Sequence, residues 1–248
     1  MVTLVLNLLM GLLGAVAIRS WKRGGLPRQE TRRRLGLDPS RLAPELGAGA
    51  LIGALAIASV YVAERTGGHA ELGGGALGAL ARADVWLMLS AGAIGEELVF
   101  RSFGLNGVIH LTRRPGVAVA VTATAFGLAH ATAPNATALS VVSTALGGVM
   151  YAVAFLRTGR LWAPIGLHLA WNATQALVFG FPMSGRSFES ALGVQVEGPE
   201  WWTGGDYGPE GGVVGLCARI LVIALLLLVL RLDRSEESSD EGTATVAD

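Results

Sequence analysis

The feature that most restricts how this chain can fold is a series of long apolar segments. Each is close to the roughly 20 helical residues needed to cross the hydrocarbon core of a bilayer, and most carry no charged residue. Only 15% of the residues are charged, against about 25% in soluble domains. The pattern predicts an all-α fold, a polytopic transmembrane helical bundle of about seven spans in the cell membrane. The predicted spans are 2–18, 46–63, 84–102 with an optional continuation to 112, 116–133, 136–156, 161–181 and 212–230.

Basic residues are distributed unevenly between the segments that connect these spans. Cytoplasmic loops are enriched in Lys and Arg, and residues 19–43 carry eight of them. Placing this loop in the cytoplasm puts the N-terminus outside, and alternation through seven spans puts the C-terminus in the cytoplasm. The inner side then holds Arg19, Lys22, Arg23, Arg28, Arg32, Arg33, Arg34, Arg41, Arg113, Arg114, Arg157, Arg160, Arg231 and Arg234, whereas the outer loops hold Arg65, Arg82 and Arg186.

The last residues differ in composition from the apolar spans. From Asp233 onward the sequence is acidic and contains Ser, Thr and Gly, a composition that cannot bury a core. We therefore expect a transmembrane domain over 1–232 and an acidic, disordered cytoplasmic tail over 233–248. The chain has 19 basic and 19 acidic residues, a balance that gives no reason to expect nucleic acid as a partner. The lipid bilayer is the partner that the composition implies.

Glycine is abundant, at 35 of 248 residues, and many of the glycines lie inside the apolar segments. Small residues in a membrane span let two helix backbones approach closely. Gly49 and Gly53 are four residues apart and predict one such close helix contact.

The third predicted span contains three ionisable residues, Glu96, Glu97 and Arg101. Each such residue at membrane depth costs at least about 2.5 kcal/mol, so its presence indicates a function. Glu97 and Arg101 are four residues apart and share a helix face, which predicts an ion pair. Glu96 points elsewhere around the helix and stays free to act as a general base. A purely structural ion pair is the alternative.

Two later spans add polar side chains of the kind that hydrolases use. Span four ends in Phe126 and His130, and span six carries His168 and Asn172, again four residues apart. His168 and Asn172 therefore share a helix face, from which two hydrogen-bond donors could hold a developing oxyanion. His130 could share with Glu96 the activation of a water molecule. A single histidine in a span is more often a packed core residue, but the combined set is the inventory of a water-activating hydrolase.

These positions resemble the motifs of the CPBP intramembrane proteases, the CAAX-protease and bacteriocin-processing family that includes the Ras-converting type of CAAX endopeptidase. The family's Glu-Glu-x-x-x-Arg falls on Glu96, Glu97 and Arg101. Its Phe-x-x-x-His falls on Phe126 and His130, and its His-x-x-x-Asn/Asp falls on His168 and Asn172. The resemblance covers a motif core of roughly 85–180.

The resemblance implies a role for each of these residues. Glu96 would be the base, with His130 as its partner, and His168 and Asn172 would stabilise the oxyanion. Glu97, Arg101 and Phe126 would support them. The family name also implies a metalloprotease. Three protein ligands are usual for catalytic zinc, and Glu96, His130 and His168 are the candidates, but a mechanism without metal is the one that we favour.

The hypothesis for function is an intramembrane endopeptidase, similar to a CAAX prenyl protease, that cleaves a membrane-associated peptide or protein. One alternative is a non-catalytic membrane binding module of the bacteriocin-immunity or regulatory type on the same fold. Another is a proton-coupled transporter, since Glu and His in spans also form proton relays. Arg219, in the last span, belongs to none of the motifs, and we expect it to reach the interface or to pair with an acid. A supporting role near Glu97 is the alternative.

Straight helices would place Glu96 and His130 nearer the outer side of the membrane than His168. We therefore predict a break near Ser102 to Gly107, or a tilt, that brings the three side chains level. Both sides of the membrane remain candidates for substrate access.

Overall fold

The structure is a computed structural model that describes the backbone of residues 2–244 and the side chains of residues 2–228. Its helices are α1 (Val2–Arg23), α2 (Arg28–Arg34), α3 (Leu42–Thr66), α4 (Ala83–Glu97), α5 (Asn106–Thr112), α6 (Pro115–Ala129), α7 (Ala138–Thr158), α8 (Trp162–Ala173), α9 (Glu200–Thr203) and α10 (Val213–Ala244). Two π-helical segments, Leu98–Leu105 and Thr174–Phe179, continue α4 and α8. Two strands, β1 (Ala70–Leu72) and β2 (Val194–Val196), join the loops.

The predicted apolar segments all coincide with helices, and the helical fold is confirmed. Among the described residues, three helices are long and apolar enough to cross a membrane, namely Val2–Arg23, Pro39–Thr66 and Ala138–Thr158. Two shorter helices, Pro115–Ala129 and Val213–Leu228, are also apolar. The count of seven spans and the orientation of the termini stay predictions.

The two strands are a departure from the all-helical prediction. They pair antiparallel, with Ala70 opposite Val196 and Leu72 opposite Val194. The glycine-rich loops that contain them pass over the ends of helices, where backbone N–H and C=O groups need partners other than a helix. The pairing ties together two loops that are far apart in sequence.

Helix α8 lies in the centre of the fold, packed against α3, α4 and α7. The fully buried side chains around it include Leu167 and Trp171 from α8 itself, and Ile57 and Met150 from its neighbours. Burial at this position means that any polar side chain on α8 faces other helices and not lipid.

Local sequence signals set the helix boundaries near the polar residues. Pro115 opens α6, where its missing N–H costs nothing. Helix α7 begins with a capping box, in which the Thr137 hydroxyl accepts from the Ser140 backbone N–H at 3.1 Å and the Ser140 hydroxyl accepts from Thr137 N–H at 2.8 Å. It ends at Gly159, whose φ of 67° favours glycine.

The predicted break in the third span takes the form of a π-helical segment. The chain continues from α4 through Leu98–Leu105 into α5, so the segment overlaps the predicted break at Ser102 to Gly107. A wider turn of this kind changes the direction of the side chains that follow it. Irregular helix is tolerated at membrane depth where the surrounding protein satisfies the backbone.

The last helix ends at Ala244, and residues 245–248 lie outside the described residues. The acidic segment at 233–248 also lies beyond the last described side chain. Its disorder and the domain boundary at residue 232 therefore stay predictions.

Candidate active site

Four polar residues of the three motifs meet in one cavity of about 340 Å³, whereas Glu97 and Arg101 are not among the residues that line it. Glu96 is in the last turn of α4, His130 is the residue that ends α6, and His168 and Asn172 are one turn apart on α8. All four line the cavity, as does Phe126. The structure thus brings together residues that the sequence spaces over three helices.

Glu96 lies between the two histidines. Its Oε1 is 3.9 Å from His130 Nε2, and its Oε2 is 3.8 Å from His168 Nε2. Both distances exceed those of direct hydrogen bonds and suit a bridging water molecule. The Glu96 side chain is 33% exposed, whereas that of His168 is 7% exposed. The carboxylate is therefore reachable from the cavity, and His168 forms part of its wall.

The hydrogen bond at Nδ1 of each histidine determines the tautomer of the ring. His130 Nδ1 is 2.8 Å from the Phe126 carbonyl oxygen, and His168 Nδ1 is 2.9 Å from Glu97 Oε1. Both partners accept hydrogen bonds and cannot donate them, so we assign the proton to Nδ1 in each ring. A neutral ring then presents an unprotonated Nε2 to the cavity. His168 can therefore donate to an oxyanion only after Nε2 also gains a proton.

The predicted pair between Glu97 and Arg101 forms in the interior. Arg101 Nε is 3.2 Å from Glu97 Oε2, and both side chains are at most 2% exposed. The N–H does not point at that oxygen closely enough for a hydrogen bond, so the contact is charge pairing. Glu97 serves two partners at once, because its Oε1 faces His168 and its Oε2 faces Arg101.

Aromatic rings hold both Arg101 and the histidines. The Arg101 guanidinium lies 4.7 Å from the centre of the Phe126 ring and 5.1 Å from that of Tyr151, within cation–π range. The Tyr151 ring also stacks on His168, with centroids 4.5 Å apart and planes 16° from parallel. Phe126 lies 4.8 Å from the His130 ring. Phe126 thus contacts both Arg101 and His130. Tyr151 makes similar contacts with Arg101 and His168, although it belongs to none of the sequence motifs.

Arg219 pairs with an acid, as one of the two sequence expectations proposed. Its Nη2 donates to Glu210 Oε1 at 3.0 Å, and Nη1 donates to Ser143 Oγ at 2.5 Å. Arg219 and Glu210 both line the cavity. The arginine within an apolar span was the only sequence signal for this pair, because Glu210 lies in a glycine-rich loop and belongs to no motif.

The candidate zinc ligands do not form a metal site in this structure. Among the described residues, no group of three or more His, Cys, Asp or Glu side chains is placed to hold a metal ion. Ligand atoms about 2.0–2.2 Å from a tetrahedral zinc are about 3.3–3.6 Å from one another. The separations of 3.8 and 3.9 Å between Glu96 and the histidines are wider than that.

The comparisons with known proteins agree with these motifs. Residues 79–174 match the family model described as type II CAAX prenyl endopeptidase Rce1-like. No curated protein and no solved structure matches the chain. The matched range contains Glu96, Glu97, Arg101, Phe126, His130, His168 and Asn172. Residues 79–174 of this chain are therefore similar to the Rce1-like type II CAAX prenyl endopeptidase family.

Proposed function

We propose that the protein is an intramembrane endopeptidase that hydrolyses a peptide bond in a membrane-associated substrate. The observation that carries the proposal is the position of Glu96, whose carboxylate faces Nε2 of His130 and of His168 across a cavity among apolar helices. The family match supports the reaction class. The substrate is a membrane-associated peptide or protein, cleaved near a hydrophobic end.

In the proposed reaction, Glu96 is the general base. It takes a proton from a water molecule held between its carboxylate and the two imidazoles, and the water oxygen attacks the carbonyl carbon of the peptide bond. When the C–N bond breaks, the departing nitrogen takes up the proton that Glu96 removed from the water molecule. One water and one peptide bond give one carboxylic acid and one amine.

Asn172 and His168 stabilise the negative charge that develops on the carbonyl oxygen. The Asn172 amide donates directly from the cavity wall. His168 becomes a second donor when Nε2 is protonated. The Glu97 carboxylate, 2.9 Å from His168 Nδ1, holds the ring so that Nε2 faces the cavity. Arg101 in turn balances the buried charge of Glu97.

The surrounding membrane architecture is part of the proposal. We propose seven spans in the cell membrane, with the N-terminus outside and the C-terminus in the cytoplasm, because basic residues concentrate in alternate connecting segments. The bilayer then excludes bulk water from the lipid-facing sides of the site.

The proposed function is tested by incubating purified protein with a library of membrane peptides in H₂¹⁸O. Hydrolysis adds one ¹⁸O atom to the new carboxylate, which mass spectrometry of the fragments detects. We expect labelled fragments from a subset of the peptides. Peptides that bind the protein and stay intact would instead support a binding module.

A further inference from the structure

Part of the wall of the active-site cavity comes from α1, which lies outside the residues that match the family model. Thr3 and Asn7 of this helix line the cavity that also contains Glu96 and Asn172. The two residues are four positions apart and share a helix face. The whole of α1 precedes residue 79, where the family match begins. The motifs therefore assign no function to this part of the wall.

Contacts along α1 fix the helix face on which Asn7 lies. One turn before it, Thr3 Oγ1 donates at 2.6 Å to the carbonyl of Ala129, the residue before the histidine that ends α6. One turn after it, Met10 is buried against Gly104, where a Cβ atom would lie 2.7 Å from the Met10 sulfur. Asn7 lies between these two contacts. It therefore faces the end of α6 and the π-helical segment that continues α4.

The Asn7 amide does not have the hydrogen bonds that nearby hydroxyl groups make. Its Oδ1 is buried and accepts no hydrogen bond from any residue that the structure describes. By contrast, the hydroxyl groups of Ser59 and Thr122 donate to carbonyl oxygens of their own helices at 2.6 and 2.8 Å. Asparagine in a membrane span can stabilise helix packing by bonding across helices, but this oxygen makes no such bond. A polar group that is left unpaired inside a membrane protein is costly and indicates a function.

The chemistry of a primary amide indicates what Asn7 binds. The group carries both a donor and an acceptor, and a half-turn about its bond to the rest of the side chain exchanges them. A peptide backbone offers the matching groups, since every residue has a C=O and every residue except proline has an N–H. An apolar lipid chain has neither. The amide therefore fits the peptide part of a membrane-associated substrate and not its apolar part.

We propose that Asn7 is a substrate-binding residue whose amide hydrogen-bonds the peptide backbone beside the bond that is hydrolysed at Glu96. The inference deepens the proposed function and rests on it for the identity of the substrate. Asn172 is assigned to the carbonyl oxygen of the cleaved bond, so Asn7 holds a neighbouring peptide unit. A contact of this kind exists before the reaction and during it. Its loss therefore raises KM and leaves kcat near the wild-type value.

Substitution of Asn7, combined with altered peptides, tests this contact. Asn7→Leu removes both hydrogen-bonding groups at similar volume, and Leu8→Ala on the exposed face of the same helix is the control. The probe is a membrane peptide that binds the purified protein. Its affinity is measured in the Glu96→Gln background, where it stays intact, and kcat and KM are measured with Glu96 present. In a series of peptides, each N–H outside the cleaved bond is replaced by an ester oxygen, which removes one donor and weakens the carbonyl acceptor of that unit.

We expect Asn7→Leu to weaken peptide binding and to raise KM by about tenfold, the effect of one hydrogen bond. Its kcat and its melting temperature should stay near the wild-type values, and Leu8→Ala should match the wild type throughout. One ester position should weaken binding when Asn7 is present and leave binding to Asn7→Leu unchanged. If Asn7→Leu does not fold, Asn7→Ala takes its place.

Two results would overturn the inference. One is equal affinity with and without Asn7 for the unmodified peptide. The other is an ester series that affects both proteins to the same extent at every position. Peptides that bind through Asn7 but are never cleaved would contradict the proposed function, while the Asn7 contact itself would stand.

Discussion

Glu97 connects the two halves of the candidate site. The i, i+4 spacing predicted its pair with Arg101, and the structure has that pair at 3.2 Å. The hydrogen bond from His168 was not predictable in the same way, because it joins residues 71 positions apart on different helices. Spacing within one helix predicts which residues share a face of that helix. It does not predict which other helix packs against that face.

Replacing Glu97 tests whether this carboxylate supports the site or performs the chemistry. Glu97→Gln leaves Arg101 as a buried charge without its partner and removes the anion beside His168. We expect the free energy of unfolding to fall by about 3 kcal/mol, with the melting temperature and cleavage falling together. Glu71→Gln, the same change at an exposed position, is the control. A Glu97→Gln variant that is fully stable yet inactive would assign the base to Glu97.

The role proposed for Glu96 also leads to a prediction about metal. Because a carboxylate can activate water as a general base without a metal ion, we expect a chelator to leave most of the activity intact. Activity after dialysis against a chelator, together with the zinc content of the purified protein, measures this. Stoichiometric zinc with inactivation that added zinc reverses would contradict it.

At the scale of elements, the sequence predicted the helices well and their irregularities less well. The lengths of the apolar segments predicted the helices. The spacing of Gly49 and Gly53 predicted a close helix contact, and both glycines lie against the backbone of α8. For the third span the sequence predicted a break near Ser102 to Gly107 or a tilt, whereas the structure has a continuous helix with a π-helical segment at Leu98–Leu105. The energy of a π turn depends on tertiary packing, which spacing within one helix does not report.

The glycine contact leads to a prediction about how α8 is held. A Cβ atom at Gly53 would lie 2.5 Å from the Leu167 carbonyl oxygen, next to His168, whereas a Cβ at Gly47 on the same helix would meet nothing within 4 Å. We expect Gly53→Ala to lower the free energy of unfolding by about 1–3 kcal/mol and to reduce cleavage. Gly47→Ala should match the wild type in both. Melting temperatures and cleavage rates that are equal for the two variants would show that α8 does not depend on this contact.

At the scale of the whole molecule, charge orders the bundle from end to end. The concentration of basic residues predicted that consecutive connecting segments lie on alternate sides of the membrane. In the structure, the basic segments 19–41, 113–114 and 157–160 lie at the same end of the bundle. The part of the cavity wall formed by the loops around residues 132–134 and 183–186 had no sequence signal, since it depends on how those loops meet.

The orientation itself is a prediction that reporter fusions check. A reporter that works only in the cytoplasm should be active when fused to the C-terminus and inactive when fused to the N-terminus. A reporter that works only outside should give the opposite result. Activity of the outside reporter at the C-terminus would contradict the orientation.

The account depends most on Glu96 as the base that activates water. Glu96→Gln keeps the volume of the side chain but cannot take up a proton, so we expect it to remove nearly all turnover. Its melting temperature and its binding of an uncleaved membrane peptide should stay at the wild-type values. The most direct measurement compares cleavage of that peptide by purified wild type, Glu96→Gln and the exposed control Glu71→Gln. The account predicts cleavage by the first and third only, and cleavage by Glu96→Gln at the wild-type rate would contradict it.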